Sequence, residues 1–311
     1  MRLRRLLAGA AGTAAAADLL DRGLRAKAGD LPPALPGEQD TYRWRGFDVA
    51  YAEAGDPDSP DVVCLHGIHA AASSHEFAGV FDALAEDYHV IVPDLPGFGR
   101  TDRPPVAYTS SLYEEFVADF LREAADDPVV VGSSLSGAWA AIAARETDVS
   151  GLLLVCPTAD TGPRRPWLRA LLRSPVVGAG VFDALTAKPS LRYFDERDAF
   201  YDPDRVPDEL VAYQWQSAHQ DGARFAPASF VGGYLDADVD LGAELRQRDC
   251  PATLVWGREA TISTLASGRD IADAADARLV VLDETRLLPH AEQPDVFLDA
   301  VREELPRLED Q

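Results

Sequence analysis

A serine at a predicted strand-to-helix turn is the first candidate for chemistry. Gly132–Ser136, within VVVGSSLSGAWA, follows an apolar, β-branched run and precedes an alanine-rich stretch, which predicts a buried strand, a sharp turn and a helix. Small residues at both ends of this pentapeptide allow a strand and a helix to approach closely. A hydroxyl presented on such a turn can attack a carbonyl carbon, so Ser134 is the candidate nucleophile.

A histidine near the carboxyl end is the candidate base. A serine hydroxyl is a weak nucleophile at neutral pH unless a base is adjacent to it. His290 lies in TRLLPHAEQP, directly after Pro289 and at the predicted start of a helix. The alternative interpretation is a histidine that only packs at the start of that helix. The carboxylates that could orient a catalytic histidine are Asp160, Glu259, Asp283 and Glu284.

The other histidines and the glycine-rich loop predict no cofactor. No spacing among the histidines and cysteines is typical of a metal site. The loop VPDLPGFGR contains a proline and lacks the Lys-Ser/Thr ending of a phosphate-binding loop, which argues against nucleotide and dinucleotide binding. His69, His75 and His219 could face a ligand or pack within loops. We therefore expect neither a metal nor a cofactor.

Alternating strand-like and helix-like segments would position these residues. Their order predicts βαβ units in an α/β fold, with a mostly parallel sheet flanked by helices. The alternation stops between residues 158 and 247, where proline, arginine and aromatic residues accompany helical segments, and it resumes at PATLVWG. The predicted organisation is an N-terminal segment and linker at 1–40, an α/β core at 41–157 and 248–311, and a helical cap inserted late in the chain at 158–247.

Five segments, taken in this order, resemble the α/β-hydrolase superfamily. They are CLHG, VPDLPGFGRTDRP, the serine turn, LVWG and PHAEQP, and the resemblance runs from Thr41 to Leu305. It implies the family's fold, with a nucleophile elbow at Ser134 and a helical cap over 158–247. It also implies that the backbone amides of Ile68 and Leu135 form an oxyanion hole around the substrate.

Two family positions are replaced in this sequence. The acid expected three residues past WG is Ala260, and the base expected three residues before His290 is Leu287. The resemblance gives His66 a structural role. One function that follows is a serine hydrolase acting on a small or medium apolar ester or amide through Ser134, with His290 as a non-standard base. The other is a non-catalytic hydrolase-fold protein that binds a small apolar ligand. Aromatic residues that would line the pocket or pack within the cap are Trp167, Tyr193, Phe194, Tyr213, Trp215, Phe225 and Phe230.

The acidic composition excludes some partners. Asp and Glu total 52 against 29 Lys and Arg, which gives a formal charge of −23. Such a surface repels nucleic acids and anionic lipid headgroups, so we expect a small-molecule substrate or ligand and no nucleic acid. The composition, with only Lys27 and Lys188 as lysines, is typical of halophilic proteins, in which molar salt shortens the Debye length to about 3 Å. An acidic protein from a non-halophile is the alternative, and the sequence makes no prediction of oligomeric state.

The N-terminus and the cysteines bear on location. Residues 1–20 combine a basic start with an apolar stretch of small residues, which is the outline of a signal peptide and equally of an alanine-rich packing helix. The apolar run is shorter than the roughly 20 residues that span a bilayer. Cys64, Cys156 and Cys250 are odd in number and widely spaced, which argues against a disulfide framework. We expect a cytoplasmic protein, with export or membrane attachment through residues 1–20 as the alternative.

Overall fold

An eight-stranded, mostly parallel β-sheet forms the centre of the molecule. The computed structural model describes residues 19–309. The strands are β1 (Glu38–Trp44), β2 (Phe47–Ala54), β3 (Asp61–Leu65), β4 (His89–Pro93), β5 (Val129–Ser133), β6 (Gly151–Val155), β7 (Ala252–Gly257) and β8 (Arg278–Leu282). Their order in the sheet is β1-β2-β4-β3-β5-β6-β7-β8. Only the β1–β2 and β2–β4 pairs are antiparallel among these strands, so the predicted α/β fold is confirmed.

The central strands are apolar on both faces because helices cover both sides of the sheet. Every residue of β5, β6 and β7 is buried, as expected of parallel strands enclosed between helical layers. The register pairs Leu65 of β3 with Gly132 of β5, and Gly132 with Leu154 of β6. The carboxyl ends of these three strands therefore meet at one edge, which is where open α/β sheets bind ligands.

Helices occur both around the sheet and in a strand-free stretch between β6 and β7. They are α1 (residues 19–28), α2 (Phe81–Leu84), α3 (Ser110–Ala124), α4 (Leu135–Ala143), α5 (Pro166–Arg173), α6 (Gly178–Leu185), α7 (Lys188–Phe194), α8 (Asp208–Ala218), α9 (Phe225–Val231), α10 (Leu241–Arg246), α11 (Leu265–Ala275), α12 (Pro289–Glu292) and α13 (Pro294–Glu309). Helices α5 to α9 share an apolar centre that includes Leu172, Phe182 and Phe200. Helix α10 instead packs against α4 and α11, so its contacts are those of a sheet-flanking helix.

The described part of the N-terminal segment packs on the cap. Tyr213 of α8 donates a hydrogen bond from its hydroxyl to the Pro32 carbonyl (3.0 Å), and the side chain of Gln220 donates to the Gly29 carbonyl (2.9 Å). Leu35, a few residues further on, is buried in the apolar layer between the sheet and α13. The signal-like residues 1–18 lie outside the described part. None of the helices in residues 19–309 combines the length and apolarity needed to cross a membrane, and all three cysteines are free.

Candidate active site

Ser134 occupies a strained turn between β5 and α4. Its backbone has φ 56° and ψ −123°, a region that costs a non-glycine residue energy unless the surroundings hold it there. Backbone hydrogen bonds do so: the Ser134 amide donates to the Val155 carbonyl (2.9 Å), and the Ser134 carbonyl accepts from the amides of Gly137 (3.1 Å) and Thr158 (3.2 Å). A Cβ on Gly132 would lie 2.9 Å from the Gly137 Cα. The turn is thus the predicted elbow in geometry, and it leaves the serine side chain partly exposed.

Two backbone amides beside this turn lack protein partners. Leu135 opens α4, and Ile68 follows Gly67 in the loop after β3. Among the described residues, neither of their N–H groups donates a hydrogen bond to another protein atom. A Cβ placed on Gly67 would lie 3.4 Å from the Ser134 Cβ, so the loop touches the elbow. Free amides at the start of a helix and in an adjacent loop are suited to receive an oxyanion.

His66 holds this loop by both ring nitrogens. Its Nε2 accepts from the Leu95 amide (3.1 Å), which places the ring proton on Nδ1, and Nδ1 donates to the Gly67 carbonyl (2.8 Å). The His66 carbonyl in turn accepts from the hydroxyl of Ser136 (2.5 Å). Ser136, which stands where the family usually has glycine, therefore connects α4 to the loop after β3.

His290 lies in a buried pair with Glu76. The His290 Nε2 is 3.0 Å from the Glu76 Oε1, and the ring stacks on Phe77 and packs against Phe297 with centroid distances of 5.1 and 5.6 Å. The His290 Nδ1 has no hydrogen-bond partner among the described residues. The structure therefore does not bring His290 into hydrogen-bond contact with Ser134.

Glu76 is a site residue that the sequence did not indicate. Its Oε2 accepts from the Gly67 amide (2.9 Å). Burial by itself raises the pKa of Glu76, but the hydrogen bond and charge interaction with His290, together with Ser133 and His66, outweigh burial and lower the pKa to about 2. The carboxylate stays ionised at neutral pH. Its only local sequence signal is an acid enclosed by apolar and small residues in SSHEFAGVF.

The four carboxylates considered for orienting His290 have other partners or lie exposed. Glu259 accepts from the Thr285 amide (3.2 Å), and Asp283 pairs with Arg258 at the surface. Asp160 accepts from the Gly162 amide (2.6 Å), and Glu284 is exposed. Among the described residues, none of these carboxylates is hydrogen-bonded to His290.

The residues at the family's usual acid and base positions, Ala260 and Leu287, are apolar and pack among apolar residues. Ala260 is 7% exposed and belongs to the apolar cluster that contains Ile68, Leu135 and Trp256. Leu287 packs against the same cluster. The relay that normally serves an elbow serine is therefore absent from these two positions.

Comparison with known proteins identifies the family. A model described as the alpha/beta hydrolase family matches residues 62–300. The chain belongs to the alpha/beta hydrolase family. The uncharacterized hydrolase YugF of Bacillus subtilis (strain 168) is 24% identical over 270 residues, which is 82% of this chain and 93% of that protein.

Solved structures show the same fold. The serine hydrolase CCSP0084 from Cycloclasticus zankles superposes on this hydrolase-family chain with a TM-score of 0.73 at 20% identity, covering 88% of this chain and 99% of that one. A bacterial membrane phospholipase A gives a TM-score of 0.68 at 21% identity, covering 99% and 98%. At these identities the likeness establishes the fold alone.

The aromatic residues of the cap of this alpha/beta hydrolase divide into exposed residues and packed ones. Trp167, Tyr193 and Phe194 are 67%, 54% and 47% exposed, so they lie on the surface and do not line an enclosed pocket. Phe225 and Phe230 pack against the main apolar cluster.

His69, His75 and His219 are engaged by other groups of the protein. The His69 Nδ1 accepts from the Ala71 amide (3.3 Å), and burial lowers the pKa of His69 to about 4. His75 stacks on Tyr213, and the His219 Nδ1 lies 2.7 Å from the Trp215 carbonyl. Residues 19–309 contain no group of histidines, cysteines or carboxylates arranged to hold a metal.

Proposed function

We propose that this alpha/beta hydrolase is a serine hydrolase that acts on a small or medium apolar ester or amide through Ser134. The observation that carries the proposal is the elbow at Ser134, which has the free amides of Ile68 and Leu135 beside it. The solved neighbours include a thermophilic esterase from Thermogutta terrifontis, which supports ester chemistry. The small-molecule substrate would enter at the carboxyl edge of the sheet, and no cofactor takes part.

The reaction divides into acylation and deacylation. The Ser134 Oγ attacks the carbonyl carbon, and the carbonyl oxygen becomes an oxyanion that accepts hydrogen bonds from the two amides. Collapse of this intermediate breaks the bond to the leaving group, which takes up the proton released by Ser134 and departs as the alcohol or amine. Water then hydrolyses the acyl-serine to the carboxylic acid and free Ser134. Each amide in such a hole typically contributes on the order of 100-fold to 1,000-fold in rate.

The proton of Ser134 needs an acceptor. The His290 Nε2 is engaged by Glu76, so this nitrogen does not accept the proton while the pair is intact, and the ring is held in place by Phe77 and Phe297. Our proposal assigns the role of proton acceptor to water or to a basic group on the substrate. Without an adjacent base, catalysis rests on the oxyanion hole and on binding, so slow turnover is expected.

The second candidate function is non-catalytic binding of a small apolar ligand. The buried Ala260 and the packed Leu287 favour it, since both replace polar relay groups with apolar surface beside Ile68 and Leu135. The three free cysteines support a reduced, cytoplasmic location under either function.

Labelling with a fluorophosphonate probe separates the two functions. Wild type, Ser134→Ala and the matched control Ser150→Ala would be incubated with the probe in 2 M KCl, and hydrolysis of p-nitrophenyl butyrate would be followed in parallel. Labelling and hydrolysis that persist in Ser150→Ala and vanish in Ser134→Ala support the hydrolase. Folded wild-type protein that is neither labelled nor active supports the binder.

A further inference from the structure

A buried acid–histidine pair lies next to the nucleophile, although the proposed reaction does not route a proton through it. The Glu76 and His290 side chains are 4% and 0% exposed. Withdrawing a carboxylate from water is costly unless hydrogen bonds replace its hydration. Both oxygens of Glu76 are satisfied, one by the His290 Nε2 and the other by the Gly67 amide. The pair is therefore a built feature of the site and connects α12 to the loop after β3.

The bond from Gly67 to Glu76 fixes the start of the oxyanion loop. Charge-assisted bonds from an amide to a carboxylate are roughly twice as strong as neutral ones. On its other side, the Gly67 carbonyl accepts from His66. That carbonyl and the Ile68 N–H belong to one planar trans peptide, in which they point in opposite directions. Holding Gly67 at its nitrogen and at its oxygen therefore sets the direction of the Ile68 N–H.

We propose that Glu76 and His290 are positioning residues for the oxyanion hole, and that His290 orients Glu76 instead of accepting the proton of Ser134. This inference rests on the proposed serine hydrolase function and assigns the histidine near the family's base position a different task. The Gly67 Cα links the parts in space, since a Cβ there would lie 3.3 Å from the Glu76 Oε2 and 3.4 Å from the Ser134 Cβ. A displacement of the Glu76 carboxylate would thus move Gly67, which is next to Ser134.

Conservative substitutions distinguish positioning from proton transfer. Glutamine at position 290 can still donate an N–H to Glu76 but cannot act as a base, whereas leucine can do neither. Glutamine at position 76 has no charge, and with a single oxygen it cannot accept from both His290 and the Gly67 amide as the carboxylate does. The proposal therefore expects Glu76→Gln and His290→Leu to react with a fluorophosphonate up to about 1,000-fold more slowly than wild type, the upper limit for loss of one oxyanion donor. It expects His290→Gln to restore most of the rate relative to His290→Leu.

The assay measures the second-order labelling rate at Ser134 in the full chain from pH 5 to 9. His219→Gln, a substitution of another buried histidine in the cap, is the matched control and should label at the wild-type rate. If His290→Gln loses labelling as completely as Ser134→Ala, or if the acid limb of the pH profile disappears in that variant, His290 is the base and the proposal is wrong. Wild-type labelling by Glu76→Gln would also overturn it.

Two further measurements keep the test independent of folding and of catalysis. Because a single change could unfold the protein, the double variant Glu76→Leu/His290→Leu removes both groups together, which buried pairs tolerate better than loss of one partner. If it folds and labels at the wild-type rate, the proposal fails. The amide proton shift of Gly67, measured by NMR, should move upfield in Glu76→Gln. If wild type is not labelled at all, the proposed function fails, and this shift alone decides whether the pair positions the loop.

Discussion

A carboxyl group in the cap should make the stability of the protein depend on pH near neutrality. Asp195 follows α7 and is 7% exposed, and its Oδ1 accepts from the Gln214 side-chain amide (3.2 Å). The Asp195 Oδ2 and the Gln214 Oε1 are both buried without a hydrogen-bond partner among the described residues. Two unpaired acceptors in one buried pair are satisfied together if a proton on the Asp195 Oδ2 is donated to the Gln214 Oε1.

Burial dominates the acid–base behaviour of this group. It raises the pKa of Asp195 from 3.8 to about 7, against the opposing hydrogen bond from Gln214 and the charge of Arg192, while the charge of Glu196 adds to the rise. The folded protein therefore holds a proton that the unfolded chain releases between about pH 4 and pH 7. Stability from this group is complete below the unfolded pKa and is lost as pH rises through the folded pKa. The loss amounts to up to about 4 kcal/mol at pH 8.

The perturbation is Asp195→Asn, which mimics the protonated acid. Its amide can donate to the Gln214 Oε1 and its carbonyl can accept from the Gln214 Nε2 at every pH. Urea unfolding of wild type and variant at pH 5, 6, 7 and 8 should show the variant gaining relative stability as pH rises, by about 3 kcal/mol between pH 5 and pH 8. Asp82→Asn, at an exposed position of α2, controls for the loss of one negative charge. A stability difference that stays constant from pH 5 to 8 would refute the reasoning.

Three further perturbations follow from the same structure. The Tm of thermal unfolding should rise between 0.1 and 1 M KCl. The chain has a formal charge of −23, and its self-repulsion is screened as the Debye length falls from about 10 Å to about 3 Å. A Tm that is insensitive to KCl would contradict this. Gly132→Ala should cost about 1–3 kcal/mol in urea unfolding, since its Cβ would lie 2.9 Å from the Gly137 Cα, and a neutral result would mean that the elbow can relax. Arg286 donates hydrogen bonds to the carbonyls of Glu196 and Phe200 (each 3.0 Å), and Arg286→Ala removes them. Limited trypsin digestion of this variant should therefore cleave between residues 195 and 202 faster than in wild type. Equal cleavage rates would show that Arg286 does not secure this segment.

The fold could be predicted because its signals are local. Short β-branched runs such as VVVGS alternate with helical segments, and each pattern is contained within about ten residues. The strained turn at Ser134 was also predictable, since such a turn next to close packing needs small residues and Gly132–Ser136 supplies them. Helix α10 is a helix like its predecessors in sequence, and its contacts with α4 and α11 are visible only in the structure.

The pairing of Glu76 with His290 could not be predicted from the sequence. Glu76 and His290 are 214 positions apart, and neither lies in a pattern that specifies the other. A single histidine after a proline is compatible with a base, a packing residue or a partner to a distant carboxylate. Side-chain orientation in the cap has the same limit, and Trp167 of α5 and Tyr193 of α7 are exposed.

The linker between α1 and β1 connects the cap to the layer between the sheet and α13. Pro32 is bound to the cap through Tyr213, while Leu35 is anchored in the layer between the sheet and α13. The three residue steps between these anchors can span at most about 11 Å. A displacement that takes these two points further apart than this must therefore first break the hydrogen bond from Tyr213 to Pro32.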